Sequence, residues 1–93
     1  MVENQEKNTQ NRIAIVTGGS RGIGASIVKK LSQNGFSVIL NYNNSFESAK
    51  QITSENPNID NFKADVSNYD EVCNLINFTI NKYGKIDLLV NNA

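Results

Sequence analysis

The sequence predicts an α/β fold, a parallel sheet wound from strand–helix–strand units, and three observations carry that prediction. Short apolar runs alternate with segments of helical period. The helical segments are about ten to fifteen residues long, the length that joins parallel strands through right-handed crossovers. A glycine-rich stretch, TGGSRGIG at 17–24, stands at the first junction of strand and helix.

Each element has its own signal. RIAIVT (12–17) is short, β-branched and nearly continuously apolar, as a central strand covered on both faces should be. From Gly22 onward Ile23, Ile27, Val28 and Leu31 recur at helical spacing, and Asn34–Gly35 supplies a stop. FSVILNY (36–42) reads as a second strand and SFESAKQITSEN (45–56) as a second helix. That helix ends at Asn56, because the residue before Pro57 is pushed out of the α region. IDNFKADV (59–66) holds a third, shorter strand. Ser67 and Asp70 have the spacing of a capping box, and Val72, Leu75, Ile76, Thr79 and Tyr83 then form one helical face up to Gly84. KIDLLVNNA (85–93) is a fourth strand. The doubly wound order for these strands is 3-2-1-4, a Rossmann-like sheet whose fourth strand, with Ile86, Leu88, Leu89 and Val90, forms an apolar edge.

Composition narrows the function. At 93 residues the chain is one domain or part of one, and 39% hydrophobic with 19% charged residues is a globular composition. Nine basic residues balance nine acidic ones without clustering, which leaves no footprint for nucleic acid or an anionic membrane. The longest apolar runs, at 13–16 and 86–90, are far below the ~20 residues of a membrane span. Residues 1–11 lack an apolar core and read as a disordered polar tail rather than a secretory signal, so the expected location is cytoplasmic. With no histidine and one cysteine, Cys73, neither an internal disulfide nor a soft-ligand metal site is expected. Cys73 reads as a small, partly buried helical residue.

The glycine stretch is the candidate site. A glycine-rich turn between the first strand and the first helix brings backbone N–H groups and the positive helix end to the place where a diphosphate can lie. Gly18 permits the tight turn, Gly22 lets the backbone approach the ligand, and Gly24 lets helix and strand pack closely. The G-x-x-x-G-x-G spacing differs from the commoner G-x-G-x-x-G fingerprint, and it lacks the Lys-Ser/Thr of a mononucleotide loop.

These residues resemble the short-chain dehydrogenases/reductases. TGGSRGIG resembles that family's T-G-x-x-x-G-x-G motif, ADVS (64–67) its Asp-Val motif after the third strand, and LVNNA (89–93) the first three residues of its N-N-A-G motif. VTGGSRGIG and NYNNS are most similar to the 3-oxoacyl-[acyl-carrier-protein] reductases and their sugar-dehydrogenase-like relatives. The resemblance implies that Gly18, Ser20, Arg21, Gly22, Ile23 and Gly24 meet the diphosphate and adenosine ribose of a dinucleotide. It implies that Asp65 meets the adenine amino group with Val66 beside the ring, and that Asn91 and Ala93 line the floor near the riboses. It further implies a carbonyl substrate, carried on acyl carrier protein in that subgroup, and a homotetramer for the full-length form. Local readings stand beside these: Asp65 also suits a helix-start carboxylate, and Asn91 and Asn92 suit turn chemistry.

The residues themselves speak to which dinucleotide. A free ribose 2′-OH is usually held by a carboxylate at the end of the second strand, whereas this sequence has Asn41, Tyr42, Asn43 and Asn44 there. Arg21 offers a planar fork for a 2′-phosphate. NADPH is the expected cofactor, and Asn41→Asp is expected to move preference toward NADH.

Hydride transfer also needs a proton donor, which the family takes from a Ser and a Tyr-x-x-x-Lys pair. Tyr42, Tyr69 and Tyr83 are followed four places on by Phe46, Cys73 and Asp87, so none qualifies. The expectation is a truncated, N-terminal portion of a reductase, inactive and marginally folded by itself. The alternatives are a non-catalytic nucleotide-binding module and a non-functional fragment.

Overall fold

The computed structural model describes residues 11–93. Seven elements follow one another: β1 (Arg12–Val16), α1 (Gly22–Gln33), β2 (Phe36–Tyr42), α2 (Phe46–Glu55), β3 (Ile59–Lys63), α3 (Tyr69–Tyr83) and β4 (Leu88–Val90). All strand pairs are parallel and the sheet order is β3-β2-β1-β4, as the sequence predicts. Ile15 lies at the centre of the register, opposite Ile39 on one side and Leu89 on the other.

The period-2 alternation of buried strands sorts the apolar side chains onto two faces. Val16, Val38, Leu40 and Ile59 pack with Val28 of α1 and with Ala49 and Ile52 of α2. Ile15 and Ile39 point the other way and meet Leu75 of α3 beside Ala64. α3 is the one described helix on that second face, which leaves Leu89 of the β4 edge 56% exposed.

Three local expectations are corrected. Asn68 rather than Ser67 caps α3, its side chain accepting from Glu71 N. Ser67 is otherwise engaged: its N–H and hydroxyl both donate to Asp65 Oδ1, at 2.9 and 2.7 Å. Ile23, assigned to the apolar face of the first helix, is 75% exposed, while Val28 is fully buried. The fourth strand is only Leu88–Val90, because Asp87 pairs with β1 through its side chain as well: Ile13 N donates to Asp87 Oδ2 and Asp87 N donates to Ile13 O, both 2.8 Å. The polar tail falls almost wholly outside the described residues. No described helix is long and apolar enough to cross a membrane.

A charged group pins the C-terminal end of α3 to the edge strand β3. Asp60 Oδ2 accepts from Lys82 Nζ at 2.7 Å and from the Tyr83 hydroxyl at 2.6 Å. Partial burial pushes the Asp60 carboxyl upward, but the bonds from Lys82 and Tyr83 outweigh it and hold the group below the usual carboxylate range. A depressed folded-state pKa contributes stability that is present above the unfolded value of about 4 and is lost as pH falls through the folded value. Lys82 is half exposed, so solvent screening keeps the contribution small. Thermal melts of the native chain and Asp60→Asn should therefore differ at neutral pH and converge below about pH 4. A gap that stays constant down to acid pH would mean that the Asp60 charge does not stabilise the fold.

Candidate cofactor site

Four parallel strands deliver their C-terminal ends to one edge of the sheet, the side on which open α/β sheets bind ligands. The chain leaves β1 at Thr17 and turns at Gly18, whose φ of +63° is favourable only for glycine. Thr17 ties this turn to the end of β4. Its N–H donates to Val90 O at 3.0 Å, and its Oγ1 accepts from the N–H groups of Asn92 and Ala93 at 2.9 and 3.1 Å. The hydroxyl proton points toward Val90 O or Asn91 Oδ1, at 3.3 and 3.4 Å. Asn92 adds a bond from Nδ2 to Gly18 O at 3.0 Å.

Close packing explains two more glycines. A methyl group on Gly24 would collide with the Gly18 carbonyl and the Asn92 amide, so the start of α1 lies directly against the turn. Gly19, which the sequence reading passed over, is similarly cramped: a Cβ there would stand 2.9 Å from Val28 Cγ2. At Gly22 the backbone has φ +58° and open space where a side chain would project. The N-terminus of α1 has no side-chain cap and no acidic residue in its first turn. In contrast, α3 begins with the Asn68 cap and with Asp70 and Glu71. The first helix end thus presents an uncompensated positive dipole behind a glycine cradle, a geometry that suits a diphosphate.

The cradle opens into a depression of about 280 Å³ that brings together Gly18, Ser20, Arg21, Tyr42, Asn43 and Ala93 from the predicted set. Asn44, Ser45 and Asn92, not assigned to the cofactor from sequence, complete its lining, and no carboxylate is among the residues that line it. Ser20, Arg21 and Gly22 also border a second depression, which runs between α1 and α2 past Lys29 and Glu55. Ile23 lies exposed one residue further along α1. Asp65, Val66 and Asn91 do not line the 280 Å³ depression. Asp65 sits just past β3 with its backbone N–H held by Glu71 Oε1 at 2.8 Å. The Ser67 hydroxyl and then the Ser67 N–H hold its carboxyl below the usual range, so it is an anion at neutral pH. Val66 beside it is 39% exposed.

Asn41 is placed differently from the sequence expectation of a side chain facing the ribose. It is 2% exposed, and its amide turns inward beneath the glycine turn. A carboxylate there would meet the carbonyls of Phe62 and Ala64 instead of a ribose. Asn41→Asp is therefore expected to loosen the turn rather than to select a cofactor.

Tyr69 and Tyr83 are poor acids at neutral pH. Tyr83 has its phenol pKa raised, first by burial and then by its bond to Asp60. Tyr69, 81% exposed, is raised by its contact with Cys73.

The chain is similar in sequence and in fold to known reductases. The short chain dehydrogenase family profile matches residues 12–93. The chain belongs to the short-chain dehydrogenase family, whose Rossmann-like fold binds nicotinamide dinucleotides. It is 39% identical over 87 residues to the 3-oxoacyl-[acyl-carrier-protein] reductase FabG of Staphylococcus epidermidis, a match covering 89% of this chain and 36% of that protein. With the enzyme of the same name from Staphylococcus aureus it shares 42% identity over 84 residues, 86% of this chain and 34% of the relative. Among solved structures, the actinorhodin polyketide ketoreductase with NADPH superposes with a TM-score of 0.83 at 30% identity, over 89% of this chain and 33% of that one. The menthone neomenthol reductase from Mentha piperita gives 0.82 at 33% identity, over 90% of this chain and 32% of its own. The chain spans about a third of the length of these curated relatives.

Proposed function

We propose that this chain is the NADP(H)-binding portion of a short-chain oxidoreductase that passes hydride between the cofactor and a carbonyl compound. The observation that carries the reading is the uncapped N-terminus of α1 behind the glycine turn, opening on a depression lined by Arg21 and by no carboxylate. The turn and helix end suit a diphosphate, and Arg21 with Asn43 and Asn44 suits a 2′-phosphate better than a free 2′-hydroxyl. When bound, the cofactor supplies the hydride. The role of these residues is to fix its adenosine half: Gly18 to Gly24 at the diphosphate, Asp65 and Val66 at the adenine, and Asn91 and Ala93 along the floor.

The similarity to enzymes named 3-oxoacyl-[acyl-carrier-protein] reductase supports a 3-oxoacyl group on acyl carrier protein as the substrate class. Fatty acid synthesis as the setting and a homotetramer as the full-length assembly belong to the same proposal and rest on the family resemblance alone. The test is a thermal melt of the chain with NADPH, with NADH, and with neither. NADPH should raise the melting temperature in a concentration-dependent way, and NADH should raise it much less at equal concentration. A larger shift with NADH, or no shift with either dinucleotide in a chain that melts cooperatively, would overturn the assignment.

A further inference from the structure

Position 41 stands out within β2. Val38, Ile39 and Leu40 are fully buried apolar residues, and the next side chain, equally deep, is a carboxamide. Alternation puts Asn41 on the face of Ile39, just beyond the point where β1 stops pairing at Val16. There the chain peels away into the glycine turn, and the amide takes over the pairing. Asn41 Oδ1 accepts from Gly18 N at 3.3 Å, while the Asn41 backbone carbonyl accepts from Gly19 N at 2.9 Å. On the other side Nδ2 donates to Ala64 O at 3.1 Å and stands 3.4 Å from Phe62 O. Ala64 immediately precedes Asp65.

We propose that Asn41 is a positioning residue that spans the gap between β1 and β3 and fixes the glycine turn relative to the backbone that presents Asp65. The inference rests on the reading of the cleft as a dinucleotide site, in which the turn meets the diphosphate and Asp65 the adenine. Both ends of one ligand are then held in register by one buried amide. An apolar side chain of similar size could fill the space, but it would leave a backbone N–H at Gly18 and a carbonyl at Ala64 without these partners. No other uncharged side chain of this length both accepts and donates at its tip.

The test uses the isotopically labelled 93-residue chain and the variants Asn41→Leu and Asn41→Ser, read by amide hydrogen exchange without cofactor and by NADP⁺ titration. In the native chain the Gly18 amide should be protected. In the variants its exchange should quicken about tenfold while the Ile15 and Ile39 amides keep their protection, and NADP⁺ should bind about tenfold more weakly. A uniform loss of protection across the core, or loss of the fold in both variants, would make Asn41 a general structural residue and overturn the proposal. So would an unprotected Gly18 amide in the native chain, or a folded variant with native exchange and affinity. If the native chain fails to bind NADP⁺ the dinucleotide reading falls, and the exchange comparison still decides whether Asn41 positions the turn.

Discussion

Gly24→Ala should cost the chain about 1–3 kcal/mol of stability and remove NADP⁺ binding, the largest combined effect of any single methyl group in the site. The added carbon would be driven into the Gly18 carbonyl and the Asn92 amide, and the first of these is backbone that cannot rotate away. Relief requires α1 to withdraw from the turn, which breaks the bond from Asn92 Nδ2 to Gly18 O and moves the helix end away from the diphosphate position. Urea unfolding reads the first effect and a cofactor titration the second. Ser26→Ala is the control, since Ser26 is an exposed residue of the same helix whose hydroxyl bonds only within it. A Gly24→Ala variant with native stability and affinity would mean that the turn and helix are not in contact.

Arg21→Ala should weaken NADPH binding by about 1.5–3 kcal/mol, the value of a charge-assisted hydrogen bond, and leave NADH binding nearly unchanged. Arg21 is exposed at the N-cap of α1, borders both depressions, and has no carboxylate beside it in the 280 Å³ depression to compete for its guanidinium. The selectivity between the two cofactors, measured by paired titrations, is the informative quantity. Equal losses for both would move Arg21 from the 2′-phosphate to the shared diphosphate.

Much of the fold is legible in the sequence because burial on both faces writes continuous apolar runs into β1 and β2, and one-sided burial writes a helical period into α1 and α3. The order of the strands follows from those elements and the handedness of their connections. The details that escaped depend on competition between neighbours. Ser67 and Asn68 are both good caps, and the choice falls to Asn68 because Asp65 engages Ser67 first. Ile23 fits the helical period, yet it lies in the first turn of α1, where its side chain is left exposed. Asn41 reads as a strand-end polar residue, and its direction depends on where β1 stops, which sequence bounds only to within a residue or two. The one available signal was alternation: Tyr42 and Asn41 must face opposite ways, so both could not line the same depression. In the candidate site, the glycine motif is legible from its spacing and Arg21 from its guanidinium inside that motif, whereas Gly19 and Asn92 enter through packing and Ser45 through the lining of the depression.

In the proposed reading, the cleft between the glycine turn and the ends of β2 and β4 receives the adenosine half of a nicotinamide dinucleotide phosphate. A residue-resolved NMR titration of the chain with NADP⁺ tests it most directly. Saturable shifts should appear in the amides of Gly18 to Gly24, in Asn43 and Ala93, and in Asp65 and Val66, with the outward face of α3 unmoved. Saturation without shifts in the glycine turn, or shifts centred on α3 or the exposed β4 edge, would place the dinucleotide elsewhere and rule out this cleft as its site.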